Sequence, residues 1–220
     1  MGSDVYHATD RRPIAARQWA VMNRLAAALA RAGVSANAIS LSGMICAILG
    51  GVCLWQTATA DVIPLRITWL AAAALIQLRL LANLLDGMVA ISTGKASPLG
   101  ELFNDAPDRI SDVAILIGMG YALGGHPILG WVAALLALLT AYVRVLGKSL
   151  GVPSDFRGPM AKPHRMFFVT VVALLNAAAP SGLQQLSPVL WCLAVICVGC
   201  LITIGRRMLN IASALRSRPR

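Results

Sequence analysis

The most informative segment of the chain comprises residues 83–112, NLLDGMVAISTGKASPLGELFNDAPDRISD. It joins two long apolar runs and contains five of the nine acidic residues of the chain. The five are Asp86, Glu101, Asp105, Asp108 and Asp112. An acidic side chain at membrane depth costs several kcal/mol unless it is paired or binds a metal, so such a group indicates a functional site. Solvated helix ends would explain one or two of these acids, but they explain five in adjacent helices poorly.

The composition indicates a membrane protein. Of the 220 residues, 58% are hydrophobic and only 13% are charged, whereas a soluble domain has about 45–50% apolar and about 25% charged residues. This excludes a disordered chain and an ordinary cytosolic enzyme. The formal net charge is +10, and the basic residues stand at the ends of apolar runs. That placement favours anionic lipid headgroups over nucleic acid as the partner.

The hydrophobic pattern predicts an all-α polytopic membrane protein with an N-terminal interfacial helix and six transmembrane helices. Residues 13–32 carry an arginine every seven residues along one side, which is typical of an amphipathic helix in the membrane interface. We expect Gly33 to end this helix and Ser35 or Asn37 to cap the next one. The six spans are predicted at residues 37–57, 64–92, 98–123, 127–147, 165–179 and 187–205.

Three parts of the chain follow from this pattern: an N-terminal segment with the juxtamembrane helix (1–35), a six-helix membrane domain (36–206) and a basic tail (207–220). Lys and Arg are concentrated in the termini and in two of the loops. The positive-inside rule therefore places both termini and these loops in the cytoplasm.

Small residues four apart along the first and third spans predict close helix packing there. They are Gly43, Ala47 and Gly51, and Ala114, Gly118 and Ala122.

The spacing within residues 83–112 groups polar side chains on two helix faces. Asn83 and Asp86 are three apart and are therefore neighbours on one helix. On the next helix a row with a step of four is flanked by two further acids. The row is Gly100, Asn104, Asp108 and Asp112, and the flanking acids are Glu101 and Asp105. Such oxygen ligands suit Mg²⁺ or Mn²⁺ rather than zinc, since no His or Cys is nearby.

The segment from residue 83 to residue 108 resembles the signature of the CDP-alcohol phosphotransferases, D-x2-D-G-x2-A-R-x8-G-x3-D-x3-D. The spacing matches throughout. The identical positions are Asp86, Gly87, Ala90, Gly100 and Asp108. Three positions depart from the signature: Asn83 and Asn104 stand at the first and third aspartates, and Ile91 stands at the arginine. The chain thus resembles a divergent, bacterial-type member of the family.

The resemblance implies both a fold and a reaction. The fold is a juxtamembrane helix followed by six spans. The reaction transfers a substituted phosphate from a CDP-linked donor, in many bacterial members CDP-diacylglycerol, to an alcohol acceptor and releases CMP. The resemblance also implies phospholipid biosynthesis in the bacterial inner membrane, an active site facing the cytoplasm and a homodimer. Two Mg²⁺ or Mn²⁺ ions on the donor diphosphate are implied, and a single ion stays open as the alternative.

Roles carry over from the signature residue by residue. Asp108 matches the aspartate that activates the acceptor hydroxyl, so it is the predicted base. The predicted metal ligands are Asn83, Asp86, Asn104, Asp105 and Asp108. The predicted contacts of the CDP-donor are Asn83, Asp86, Gly87, Ala90 and Gly100. The two asparagines can ligate through their amide oxygens but bring no charge, and Asp105 or Glu101 would restore part of that charge by turning inward.

A set of residues is predicted to bind the acceptor or a phosphate, the basic members contacting phosphate on the donor or on a phosphorylated acceptor. The set is Arg109, Asp112, Arg144, Arg157, Lys162 and Arg165. Positive-inside anchoring explains the basic members equally well.

One alternative function is a catalytically weakened relative that binds CDP-lipid or a partner protein. A transporter would require inverted repeats and interrupted helices, which the sequence does not show. Glycerol phosphate, inositol phosphate and serine all remain open as the acceptor.

Overall fold

The structure is a computed structural model that describes residues 18–59, 64–94, 98–178 and 186–217. All regular structure in these ranges is helical, and it comprises seven α-helices. They are α1 (Ala20–Arg31), α2 (Ala36–Gln56), α3 (Leu65–Ser92), α4 (Pro98–Tyr121), α5 (Pro127–Ser149), α6 (Lys162–Ala178) and α7 (Pro188–Arg216).

Local sequence signals account for several helix ends. Gly33 has a φ of 75° and follows α1, as predicted. The Ser35 hydroxyl accepts a hydrogen bond from the backbone N–H of Ala38 at 3.2 Å, which confirms Ser35 as a cap of α2. Pro127 and Pro188 occupy the first turns of α5 and α7, where a missing N–H costs nothing. Helix α7 continues to Arg216, well beyond the predicted end of the last span near residue 205.

Four helices, α2, α3, α5 and α7, are long and apolar enough to cross a membrane. The other two predicted spans differ for identifiable reasons. Helix α4 contains the acidic cluster and Pro107, and α6 has only 17 residues. The chain is an all-α membrane protein, as the composition predicted. Residues 13–17, the first part of the predicted interfacial helix, lie outside the described ranges.

Glycines allow α2 to approach two helices closely. A Cβ on Gly51 would clash with the backbone carbonyl of Ala114, and one on Gly118 would clash with the carbonyl of Gly51. A Cβ on Gly43 would lie 2.8 Å from the Cβ of Ala82 on α3. The predicted close packing along the first and third spans is confirmed, and these two helices pack against each other. As a result, the N-terminal half of α2 lies against the acidic ends of α3 and α4.

The core has two parts. The larger one runs through the bundle and contains fully buried Trp69, Ile76 and Leu193. The smaller one includes Ala26 of α1 and Leu85 of α3. Because Leu85 directly precedes Asp86, this smaller cluster fixes the end of α3 that carries the polar motif.

Candidate active site

A cleft lies between α2, α3 and α4 and encloses about 190 Å³, including its open mouth. Its lining includes four of the motif positions. The lining residues are Ser40, Gly43, Met44, Arg79, Asn83, Asp86, Asn104, Pro107, Asp108 and Ser111. The structure therefore brings the polar ends of the second and third spans together at one site, as the spacing predicted.

Asp86 is held at the base of this cleft, with only 3% of its surface exposed. Its Oδ2 accepts a hydrogen bond from the Ser40 hydroxyl at 2.6 Å, and its Oδ1 accepts one from the backbone N–H of Gly87. Both donors are electrically neutral. These two hydrogen bonds orient both oxygens of the Asp86 carboxylate.

Three side chains on α3 and α4 form a hydrogen-bonded cluster beside Asp86. The Asn83 amide nitrogen donates to Asn104 Oδ1 at 3.1 Å and to Asp108 Oδ1 at 3.0 Å. Arg79, one turn before Asn83, donates to Asp108 Oδ1 at 3.3 Å. Asp108 therefore faces the cleft among donors from two different residues of α3.

Lys162 brings a positive charge from α6 into the same cluster. Its ammonium donates to Asn83 Oδ1 at 2.8 Å and forms an ion pair with Asp108 Oδ2. The Lys162 side chain is 17% exposed. Of the basic residues predicted to bind phosphate, Lys162 is the one that the structure places against the motif.

Asp105 lies apart from the cleft lining. Its carboxylate pairs with Arg109 at 3.1 Å and with Arg144 of α5 at 2.9 Å. The Arg144 guanidinium also lies over the ring of Phe156, at 5.4 Å from its centroid. Asp105 thus anchors two arginines and is not among the residues that line the cleft.

Asp112 does not line the cleft and lies in a buried network. Its carboxylate contacts Arg79 at 2.9 Å and Arg165 at 2.6 Å, and each of the three side chains is at most 2% exposed. Arg165 also donates to the carbonyl of Met160 at 2.9 Å. Two of the residues predicted to bind the acceptor or a phosphate, Asp112 and Arg165, are therefore engaged with each other in the interior.

The segment between α5 and α6 is anchored to α7. Asp155 accepts from the Asn210 side chain at 2.6 Å and from the backbone N–H of Arg157 at 2.9 Å. Burial by itself would raise the pKa of Asp155, but these hydrogen bonds outweigh it and hold that pKa below its ordinary range. The Arg157 side chain is 71% exposed and lies outside the cleft lining. Arg207 donates to the carbonyl of Thr140 at 2.6 Å, which ties α7 to α5.

The remaining predicted donor contacts, Gly87, Ala90 and Gly100, are not among the residues that line the cleft. Gly87 and Ala90 are half-buried on the last turns of α3, and Gly100 lies in the first turn of α4. Ile91, at the arginine position of the signature, is 58% exposed. The side chain of Glu101 lies outside the described residues.

Ser40 was not among the predicted site residues, yet the sequence contains a signal for it. It lies three residues before Gly43, at the start of the small-residue row that packs α2 against its neighbours. Because residues three apart are neighbours on a helix, Ser40 lies on the same side of α2 as Gly43, the side that packs against α3. Arg79, which also lines the cleft, pairs with Asp108 and Asp112.

The donor set of the cleft fits a hard divalent ion in its chemistry, because its oxygens come from carboxylates and amides. Only two of these groups, Asp86 and Asp108, are carboxylates. Within the described ranges, no three His, Cys, Asp or Glu side chains are grouped so that they alone could hold a metal. The residues therefore fit one ion whose coordination is completed by oxygens from outside the chain. They do not fit two ions held by the protein alone.

Comparison with known proteins identifies relatives of this chain. A family model described as CDP-alcohol phosphatidyltransferase matches residues 33–204. An archaetidylinositol phosphate synthase from Aeropyrum pernix is 35% identical over 167 residues, which are 72% of this chain and 79% of the relative. A phosphatidylinositol phosphate synthase from Streptomyces avermitilis is 27% identical, over 87% of this chain and 78% of the relative.

Solved structures share the fold. The phosphatidylinositol phosphate synthase of Mycobacterium tuberculosis with CDP-DAG bound superimposes with a TM-score of 0.72 at 19% identity, over 87% of this chain and 93% of that one. The structure of the same synthase in complex with manganese and citrate gives a TM-score of 0.71 at 19% identity, over 86% of this chain and 88% of that one.

Proposed function

Because the chain belongs to the CDP-alcohol phosphatidyltransferase family, we propose that it transfers a phosphatidyl group from CDP-diacylglycerol to an inositol phosphate and releases CMP. The chain is a transferase of phospholipid biosynthesis. The identities of the donor and of the acceptor are what we propose here. The observation that carries the proposal is the cleft in which Asp86 and Asp108 face each other from two helices within the matched region.

Two findings support the substrates. The relatives named above are synthases of inositol phosphate lipids, and a structural neighbour has CDP-DAG bound. Lys162 pairs with Asp108 in the cleft, and Arg109 and Arg144 pair with Asp105, which adjoins the lining residue Asn104. A doubly charged phosphate monoester suits these three cations better than an uncharged alcohol or serine does.

In the proposed step, an acceptor hydroxyl attacks the phosphorus that carries the diacylglycerol. A new P–O bond forms, the P–O bond to CMP breaks, and CMP leaves with the electron pair. The hydroxyl proton passes to a carboxylate oxygen of Asp108. Arg79, Asn83 and Lys162 hold this carboxylate in place, so that it can act as the general base.

Asp86, with Asn83, Asn104 and Asp108, would hold a divalent ion. Mg²⁺ or Mn²⁺ in that position supplies electrostatic stabilisation of the negative charge on the phosphoryl oxygens. Ser40 and the N–H of Gly87 keep the oxygens of Asp86 oriented before the donor arrives. Gly87 and Gly100 offer no side chain where the donor would approach the backbone.

The direct test is release of CMP. The purified chain in mixed micelles with CDP-diacylglycerol and Mg²⁺ or Mn²⁺ is offered inositol phosphate, glycerol phosphate or serine, and CMP is measured by mass spectrometry. We expect CMP only with inositol phosphate, and a loss of at least about 100-fold for Asp86→Ala and Asp108→Ala. Arg206→Met, an exposed change on α7, is the matched control. No CMP with any acceptor would overturn the proposal.

The second candidate is a CDP-lipid-binding protein with little turnover. One observation favours it: Asp108, the proposed base, is already engaged by Lys162 and Asn83. Saturable binding of CDP-diacylglycerol without CMP release in the same micelles would establish this function instead.

We also propose that α2–α7 all span a bacterial inner membrane, that α1 lies in the interface and that the site faces the cytoplasm. Helix α4 packs against α2 and α5, and α6 packs against α3 and α7, so both lie within the bundle formed by the four apolar helices. Residue 181 would then be periplasmic. In a background without the native cysteines, Ser181→Cys should react with an impermeant maleimide from outside. Reaction from the cytoplasm only would contradict this topology.

The homodimer stays a prediction that crosslinking in membranes would test.

A further inference from the structure

Lys162 occupies an unusual place for a basic residue at a helix start. It is the first residue of α6, yet its ammonium lies among side chains of α3 and α4 rather than toward the surface. It donates to Asn83 Oδ1 at 2.8 Å and pairs with Asp108 Oδ2. The ammonium thus bridges two oxygens that line the cleft.

The side-chain amide of Asn83 complements this ammonium. Its amide oxygen faces Lys162, and its amide nitrogen donates to Asp108 and Asn104. A carboxylate at position 83 could not donate to Asp108, and two carboxylates at this spacing would repel each other unless a stronger positive charge lay between them. The amide and the single positive charge of Lys162 therefore satisfy each other.

The charges around the cleft are already balanced by the protein. Asp86, Asp108 and Asp112 contribute three negative charges. Arg79, Lys162 and Arg165 contribute three positive charges, and each of these contacts Asp108 or Asp112. Asp86 accepts hydrogen bonds from two neutral donors, the hydroxyl of Ser40 and the backbone N–H of Gly87. Within this group, Asp86 is thus the carboxylate that is left to attract an added cation.

We infer that Lys162 is a tethered cation of the active site: its ammonium holds the position between Asn83 and Asp108, the cleft accepts one divalent ion on the side of Asp86, and Lys162 binds a phosphoryl oxygen of the donor. This inference deepens the proposed function and rests on it for the identity of the donor. It assigns to Lys162 a role next to the reacting phosphates. A lysine that only anchored the chain at the cytoplasmic surface would not contact Asn83 and Asp108.

The test counts Mn²⁺ ions on the full-length chain in detergent, without donor, by electron paramagnetic resonance of free Mn²⁺. The wild type should bind one ion. Lys162→Met should bind Mn²⁺ at least about tenfold more tightly, because a like charge has left the neighbourhood of the metal. Arg206→Met, the exposed control on α7, should leave the affinity unchanged. Two ions on the wild type, or equal affinity in Lys162→Met and wild type, would overturn the inference.

A second set of variants removes dependence on a single substitution. Asn83→Asp with Asn104→Asp restores two carboxylates while Lys162 is present, and the triple variant adds Lys162→Gln. We expect the double variant to bind one ion and the triple variant to bind two, so that the effects are strongly non-additive. Equal stoichiometry in the double and the triple variant would show that Lys162 does not compete with a metal. Size-exclusion profiles and Tm identify any variant that fails to fold.

The metal titrations test the role of Lys162, and the CMP assay tests the transferase proposal, so that one can be contradicted without the other. If the wild type releases CMP but the Mn²⁺ results do not respond to Lys162, the transferase proposal stands and the tethered cation is wrong. If the Mn²⁺ results respond as expected but no CMP is released with any acceptor, Lys162 is the competing cation of a site with a different function.

Discussion

The carboxylate of Asp112 lies 2.6 Å from the guanidinium of Arg165, and the two side chains are 1% and 2% exposed. One residue belongs to α4 and the other to α6, so the contact connects the helix that carries Asp108 with the helix that carries Lys162. Arg79 of α3 contacts the other oxygen of Asp112 at 2.9 Å. A single buried carboxylate thus ties together the three helices that present the site.

We expect Asp112→Ala to destabilise the protein strongly. Removing one partner of a buried ion pair leaves uncompensated charge and costs about 3–5 kcal/mol, here on two arginines at once. For a chain of this size the loss corresponds to a fall in Tm of roughly 10 °C. Thermal unfolding in detergent, followed by a thiol-reactive dye on the buried cysteines, measures it. A wild-type Tm would mean that Asp112 is not the centre of the network.

Replacing both members of the pair should cost less than replacing one. Asp112→Leu with Arg165→Met substitutes apolar groups of similar volume, and such replacements are often close to neutral. Because Arg79 loses one of its two carboxylate partners, we expect part of the Tm to return rather than all of it. A double variant no more stable than Asp112→Leu alone would contradict the pairing.

The close contact of α2 with α4 gives a second stability prediction. Gly51→Ala places a Cβ against the backbone of Ala114, and overpacking of this kind costs about 1–3 kcal/mol. Gly205→Ala is the matched control, since no atom lies within 4 Å of a Cβ there. We expect the control to keep or slightly raise the Tm, because alanine is the better helix former. Equal Tm values for both variants would show that α2 and α4 can separate without loss.

Most of the fold was predictable from local features. Apolar runs bounded by Pro127, Pro188 and Gly33 set the helices, and the motif spacing placed Asp86 and Asp108 on facing helices. The partners of these side chains were not predictable, because they depend on how each helix is rotated in the bundle. Small residues at Gly43 and Gly51 indicate close contact but do not specify which neighbour is reached.

Asp105 and Arg165 show this limit most clearly. Both stand within polar segments and fit a role at the cleft when only their spacing is considered. In the structure, Asp105 faces Arg144 on α5, and Arg165 faces Asp112 in the interior. A rotation of one helix by a single residue step, about 100°, would exchange such a partner for another, and sequence periodicity does not resolve the rotation that finely.

Ser40 should matter for the rate although it touches no predicted substrate atom. Its hydroxyl donates to Asp86 Oδ2 at 2.6 Å, and a hydrogen bond to a charged group contributes about 1.5–3 kcal/mol. If Asp86 needs this orientation to act, Ser40→Ala should lower the rate of CMP release by about 10-fold to 100-fold. Ser42→Ala is the control, since the Ser42 hydroxyl bonds to the backbone of its own helix at Ile39. Equal rates for the two variants would show that Asp86 is held without Ser40.

Asp155 gives a prediction with a defined pH dependence. Burial raises the pKa of this carboxyl, but the N–H of Arg157 and the amide of Asn210 donate to it and lower that pKa below its ordinary value of 3.8. A folded-state pKa below the unfolded value means that the ionised form stabilises the fold, so the contribution is complete above the unfolded pKa and is lost as the pH falls through the folded one. Asp155→Ala should therefore lower the Tm at pH 7, and the difference from wild type should shrink only as the pH falls below about 4.

Because Asp155 anchors the segment that leads to Lys162, the same variant should weaken donor binding at pH 7 as well. Tm and CDP-diacylglycerol affinity are measured for wild type, Asp155→Ala and the control Arg206→Met. A Tm difference for Asp155→Ala that is unchanged between pH 7 and pH 3 would show that the ionised carboxylate is not what holds this segment to α7.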